Sequence, residues 1–321
     1  MATSGTIGQT IISTAKVLEH ALRRAGVAAS VQTPETVDIA RECLYLLLMH
    51  YANTSLNLWC IEKVLIGYSP DQAEYALPAG TNDVLNVLTG TPLTADITSV
   101  AVDKVTLAQQ GKVTRLGLTF SVPPAVPFTI SVSSDDVAYT QVASLANNAM
   151  PLAGQMYWVD FDPAATGQYI TVSAGTLSGA VAATSTTEIE VTVLNRDQYA
   201  ELPNKTMQSA TVTNYLFSKT LSPTLTLWPV PNDMNRHMIL WLHRQVQDVG
   251  GLTQTLAVPQ RWFEPTIIQL AFRLAMELPG IDPARITMLS GLADKFKIEV
   301  TSAETDSAPM FISPAIAAYT R

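Results

Sequence analysis

A change of hydrophobic period partway along the chain constrains its fold more than any other feature. Near both ends, apolar residues recur every three or four positions, the spacing of one helix face. Between residues 94 and 184 they alternate with polar ones, as in Leu116–Val122, Phe128–Val132 and Tyr169–Val172, which is the period of a half-buried strand. Turn clusters such as Pro123-Pro124 and Ser133–Asp136 separate these runs. The middle segment is rich in Thr, Ser, Ala, Val and Gly, and its basic residues are Lys104, Lys112 and Arg115. The expected architecture is therefore α+β. Residues 1–93 and 185–321 would form a discontinuous core of helices with a small antiparallel sheet. Residues 94–184 would form an inserted all-β sandwich or jelly roll, long enough to be a unit of its own.

Within the outer segments, a helix is expected over 6–25 and stopped by Gly26. A second should start at Thr33-Pro34-Glu35, where Thr33 can cap, Pro34 suits the first helical position and Glu35 complements the dipole. Short strands are expected at Ala73–Leu77, Val84–Leu88 and Thr187–Leu194. Leu225–Leu227 and Met238–Leu242 should pair in a small sheet. A helix over about 261–278 is apolar nearly all round, with Pro265 expected near its first turn. A last helix begins at Asp282-Pro283, and residues 301–321 read as an extended arm.

Charge is scarce: 14% of the 321 residues against 47% hydrophobic, with a net charge of −8. Globular chains average about 25% charged, so this surface suits packing against neighbours. The acidic balance argues against gripping nucleic acid over the whole surface. No apolar run is long enough to span a bilayer and the N-terminus lacks a secretory pattern, so a cytoplasmic site of synthesis and no membrane partner are expected. Cys43 and Cys60 lie in apolar helical surroundings and read as buried thiols.

The chain has no phosphate-binding glycine loop, nucleophile elbow, HExxH or CxxC. Neither a catalytic residue, a cofactor nor a metal is expected. His237 and His243 would share a strand face but lack a third ligand. Asp160 and Asp162 also share a face, and a hydrolase would need such a pair in a cleft; a solvated strand face is the simpler reading. Asp135-Asp136 suits a turn. Trp59, Trp228, Trp241 and Trp262 are expected to anchor cores.

Five ordered pieces carry a resemblance: Ala73–Val84 (AEYALPAGTNDV), Arg196–Lys205 (RDQYAELPNK), Leu225–Pro231 (LTLWPVP), Pro259–Trp262 (PQRW) and Leu270–Ala275 (LAFRLA). Together they resemble the head-to-tail adaptor proteins of tailed bacteriophages. That resemblance implies a non-enzymatic virion protein at the head–tail junction, assembled in the bacterial cytoplasm. It would form a ring of twelve copies between the portal protein and the tail nozzle or other tail proteins, with DNA passing through the lumen without sequence-specific binding. The interface would involve Met310, Phe311, Ile312, Pro314, Tyr319 and Arg321 of the arm, and Lys16 and Arg23 of the first helix. Within the insert, Val132–Val142, Tyr157–Phe161 and Gln168–Val172 are similar to discoidin-type (galactose-binding-like) domains. Thr171 stands where that family often has a basic residue, and the family's paired cysteines are missing, so sugar binding is not carried over residue by residue. A carbohydrate-binding module is the alternative function, and it requires an exposed aromatic-lined site on the β-segment.

Overall fold

The computed structural model describes residues 12–28, 32–54, 60–145, 154–245, 251–256 and 258–303. The chain divides into two compact units, one from residues 1–60 and 245–321 and the other from residues 61–244. The strands are β1 (Ile61–Gly67), β2 (Glu74–Ala76), β3 (Thr81–Ala95), β4 (Ile97–Val100), β5 (Lys104–Val122), β6 (Phe128–Ser133), β7 (Thr140–Leu145), β8 (Met156–Val172), β9 (Thr176–Glu190), β10 (Thr192–Val193), β11 (Gln208–Ser209), β12 (Asn214–Ser218), β13 (Thr224–Trp228), β14 (Val230–Pro231) and β15 (His237–Arg244). The helices are α1 (Thr14–Ala25), α2 (Pro34–Thr54), α3 (Arg196–Glu201), α4 (Gln260–Glu277) and α5 (Pro283–Ala303).

In the helical unit, α4 packs against α1, α2 and α5. Val17, Leu18, Leu22, Leu44, Leu47, Trp262, Leu270 and Leu274 share one apolar cluster. Tyr51 meets Trp262 edge-on, with ring centroids 5.2 Å apart. The helix ends follow the sequence. Thr36 donates its backbone N–H to Thr33 Oγ1 at 3.2 Å, and Gly26 takes the left-handed conformation at φ +107° that ends α1. Residues 6–11 of the expected first helix lie outside the described residues, and α1 starts at Thr14, because Ser13 is extended and bridges Thr255. Pro265 lies inside α4, just past its first turn. Cys43 and Cys60 are both buried, and neither is in a disulfide. The Cys43 thiol donates to Glu277 Oε2 at 3.0 Å, and burial, reinforced by that carboxylate, pushes its pKa to about 12.

The other unit is mostly antiparallel β-sandwich. A nine-stranded sheet runs β1-β15-β3-β9-β5-β8-β6-β7, with β4 on β5. Val105, Leu107 and Val113 of β5 point into one core, and so do Leu116, Leu118 and Phe120. The buried positions change from odd to even across a register shift between Val113 and Arg115. A one-residue slip of this kind moves every later side chain to the opposite face. A smaller four-stranded sheet, β10-β12-β13-β2, contributes to a second core with Tyr75, Tyr215, Leu225 and Leu227, facing Met238, Leu240 and Leu242 of β15.

The expected domain edges at 93/94 and 184/185 fall inside β3 and β9, which pair with each other through those positions. The expected pairing of Leu225–Leu227 with Met238–Leu242 does not occur: β13 pairs with β12 and β2, whereas β15 pairs with β1 and β3. The apolar faces of these strands meet across a core instead of side by side.

Candidate functional site

Two polar clusters stand out in the β-rich unit, and both are built by β5 and β8. The first is buried. Arg115 follows the slip in β5, so its side chain leaves the main core and enters a smaller one beside Trp158. Only 6% of Arg115 is exposed. Its Nε lies 2.7 Å from Asp160 Oδ1 and its Nη2 lies 2.6 Å from Glu188 Oε1. Its Nη1 meets His237 Nε2 at 3.1 Å. A guanidinium can only donate, so Nε2 accepts and the neutral ring carries its proton on Nδ1. Trp158 covers the imidazole, with centroids 4.3 Å apart. Burial, helped by the neighbouring Arg115 charge, lowers the His237 pKa to about 3. Burial opposes charge on Asp160, but hydrogen bonds from Lys63 and Arg115 outweigh it and hold this carboxyl below its usual range.

This arrangement replaces the expectation for Asp160 and Asp162. Asp162 is exposed, while Asp160 is half-buried in an ion network. His237 and His243 are both buried on β15, and the Nε2 of His237 is taken by Arg115. Among the described residues, no group of three or more His, Cys, Asp or Glu is placed to hold a metal.

The second cluster faces solvent at the loop between β6 and β7. Ser133 Oγ accepts from the backbone N–H groups of Asp135 and Asp136, at 3.3 and 3.1 Å. Asp135 Oδ1 accepts from the N–H groups of Val137 and Ala138, both at 3.0 Å. Those two bonds, with a third from Ser133, lower the Asp135 pKa to about 2. Asp135 therefore acts as the internal brace of the turn. Asp136 adopts a left-handed φ of +63°, which is uncommon for a residue with a side chain. Its carboxylate receives Lys104 Nζ, 2.6 Å from each oxygen, and the phenol of Tyr139. Lys104 Nζ also lies 5.2 Å from the centroid of the Tyr169 ring. The Lys104 hydrogen bond, followed by that of Tyr139, lowers the Asp136 pKa. Tyr139 is 37% exposed. The result is an aromatic ring beside a fixed carboxylate and ammonium, open to solvent.

Sequence reasoning saw Asp135-Asp136 as a local turn but missed its partner Lys104, which lies on another strand. It also missed Arg115 as a hub. The available signal was a single basic residue inside the apolar run Val113–Val122. Of the expected interface residues, Lys16 and Arg23 are exposed on α1, where Arg23 pairs with Glu19. Met310, Phe311, Ile312, Pro314, Tyr319 and Arg321 lie outside the described residues. Trp262 and Trp158 are buried, but Trp241, expected in a core, is 40% exposed. Trp228 is half-buried and donates to the carbonyl of Asn204 at 2.8 Å. Trp59 lies outside the described residues. No described helix is long and apolar enough to cross a membrane.

No family model matches the chain. No curated protein matches it. Several solved structures of carbohydrate-binding modules are similar to part of it. One is a family 32 module from a family 31 glycoside hydrolase of Clostridium perfringens, at 16% identity and a TM-score of 0.22, with 38% of this chain and 93% of that one covered. Another is a family 32 module of Clostridium perfringens in complex with galactose, at 12% identity and a TM-score of 0.21, covering 40% and 96%. A third is chitosan-binding module 1 from a chitosanase/glucanase of Paenibacillus sp. IK-5, at 17% identity and a TM-score of 0.19, covering 40% and 92%.

Proposed function

We propose that the β-rich unit binds carbohydrate across the surface formed by Lys104, Asp136, Tyr139 and Tyr169. The observation that carries this reading is the exposed Tyr139 ring beside a carboxylate and an ammonium that are already held in place. A sugar offers C–H faces to an aromatic ring and both donors and acceptors to charged groups, and fixed polar groups beside an apolar surface are what orient such ligands. The similar carbohydrate-binding modules are compatible with this reading, but the surface geometry is what supports it. The test is a glycan array probed with the full chain and with Tyr139→Ala. Binding that falls by about tenfold or more in the variant supports the reading. No glycan retained by the wild-type chain, or retention equal in the variant, sinks it.

A second reading concerns the whole chain: a non-enzymatic head-to-tail adaptor in a phage virion, ring-forming and docked between portal and tail. Its support is that separate sequence pieces of that resemblance come together in space. Tyr75 of AEYALPAGTNDV pairs with Leu225 of LTLWPVP. Trp228 of the latter is tied to Asn204 of RDQYAELPNK, and Asn195 caps α3 ahead of that piece in a capping box with Gln198. In this reading the β-rich unit is a peripheral recognition surface on a structural ring. Mixing the purified chain with portal rings and imaging the product tests it. A stoichiometric ring on the portal is expected, and its failure to form under packaging-like conditions removes the reading without touching the glycan surface.

A further inference from the structure

The β-rich unit has a concavity that shares no residue with the surface described above. A cleft of about 460 Å³ opens between the C-terminal part of β3, the start of β4, β9 and the turn preceding β15. Clefts that take small molecules run from about 300 to 1,000 Å³. The apolar part of its lining includes Ile97 and Val181, and its polar part includes Asp96, Asp233, Asn235 and Arg236.

Arg236 is held before any ligand arrives. Its Nη1 donates to Thr211 Oγ1 at 2.7 Å, its Nε lies 3.4 Å from Asp233, and its side chain is 21% exposed. A donor fixed in this way loses little freedom on binding. The lining thus offers donors from Arg236 and Asn235 and acceptors from Asp96, Asp233 and Asn235, beside small apolar groups. Two carboxylates stand against one guanidinium, so an anionic ligand is disfavoured. None of the described residues lining the cleft is aromatic, so a flat aromatic ligand has nothing to stack on. A compound with neighbouring hydroxyl groups fits both donors and acceptors and carries no negative charge for the carboxylates to repel.

We propose that this cleft binds a neutral, hydroxyl-rich ligand of about monosaccharide size. The inference stands apart from the glycan surface at Tyr139, since neither its residues nor its geometry depend on it. The test is a methyl NMR titration of the full-length chain with glucose, galactose and N-acetylglucosamine, and with glucuronate as the charged comparison. The Ile97 and Val181 methyl signals should move with at least one neutral sugar. Asp96→Ala, at an exposed position, should weaken that response about tenfold, and glucuronate should bind about tenfold more weakly than glucose. Tyr139→Ala should leave the Ile97 and Val181 response unchanged. Methyl signals that no neutral sugar moves, a response undiminished in Asp96→Ala, or glucuronate binding as well as glucose would each overturn the proposal. Loss of the response in Tyr139→Ala would also overturn it, by assigning all sugar binding to the other surface. Glycan-array binding that is insensitive to Tyr139→Ala, alongside an intact Ile97 response, would count against the Tyr139 surface and leave the cleft standing.

Discussion

Arg115 and Lys104 lie on the same strand, each paired with a carboxylate, yet they occupy opposite physical regimes. Arg115 is 6% exposed and satisfies Asp160, Glu188 and His237 with three different nitrogens. Lys104 reaches Asp136 at the surface, where water competes for both charges. Buried ion pairs are costly to break because the partner is left charged and desolvated, whereas exposed pairs contribute about 1 kcal/mol or less. The same pairing chemistry therefore holds a fold together in one place and leaves groups free to meet a ligand in the other. Proximity of charged residues in the sequence cannot make this distinction; burial does.

The largest effect should come from Arg115. Replacing it with alanine leaves Asp160 and Glu188 without their shared cation and deprives the His237 Nε2 of its donor. Loss of one partner from a buried pair typically costs about 3–5 kcal/mol. Asp160 and Glu188 keep some contact with water, at 30% and 37% side-chain exposure, so the low end, about 3 kcal/mol, is expected. Urea denaturation of the full chain measures it. A loss below about 1 kcal/mol would place Arg115 in the same regime as Lys104 and dissolve the comparison.

His237 provides a pH version of the same contrast. Its folded-state pKa of about 3 lies below the ordinary value of about 6.5. The unfolded chain therefore takes up the proton first, so stability should fall as pH drops from about 6.5 towards 3, by about 1.4 kcal/mol per pH unit, and be indifferent to this group above that window. The groups facing the ring are Arg115, Asp160 and Lys63. Asp160 acts in the same direction at lower pH: its depressed pKa adds stability that is lost as pH falls through the carboxylate range. His237→Gln keeps an acceptor for Arg115 but cannot titrate, so its stability curve should be flatter between pH 6 and 4.5. Parallel curves for the two proteins would break the account, as would imidazole protonation seen by NMR in the folded wild type near pH 6.

Much of the fold was readable from the chain because it depends on local rules. Thr33, Pro34 and Gly26 mark helix ends through hydrogen bonds within a few residues, and the α4 sequence shows its burial through its composition. What was hidden depends on strand register. Asp160 reads as one of a pair with Asp162, yet its partner is Arg115, 45 residues earlier, brought opposite it by β5–β8 pairing across a slip. The expected boundary at residue 94 follows a change in composition, but composition reports how a surface meets solvent, and β3 continues through that point to Ala95. The candidate glycan surface was half legible. Ser133–Asp136 announces a turn, but nothing local reveals that Lys104 and Tyr169 meet it from two other strands.

The smallest stability effect should be at Lys104, and there it should separate from the effect on binding. Lys104→Ala removes an exposed ion pair and a cation held 5.2 Å from the Tyr169 ring centroid. Exposed pairs of this kind add little to stability because water screens them, so the denaturation midpoint should barely move. The ordered turn should survive, because Ser133 and Asp135 brace it through backbone N–H groups that do not involve Lys104. Asp136, however, loses the partner that fixes its carboxylate beside Tyr139. If the surface recognises carbohydrate, glycan affinity should change severalfold in a variant whose stability does not. Paired denaturation and binding curves on the same preparation provide the check. A variant that loses stability and binding together would make Lys104 a structural residue, and the exposed cluster would then differ from Arg115 only in degree.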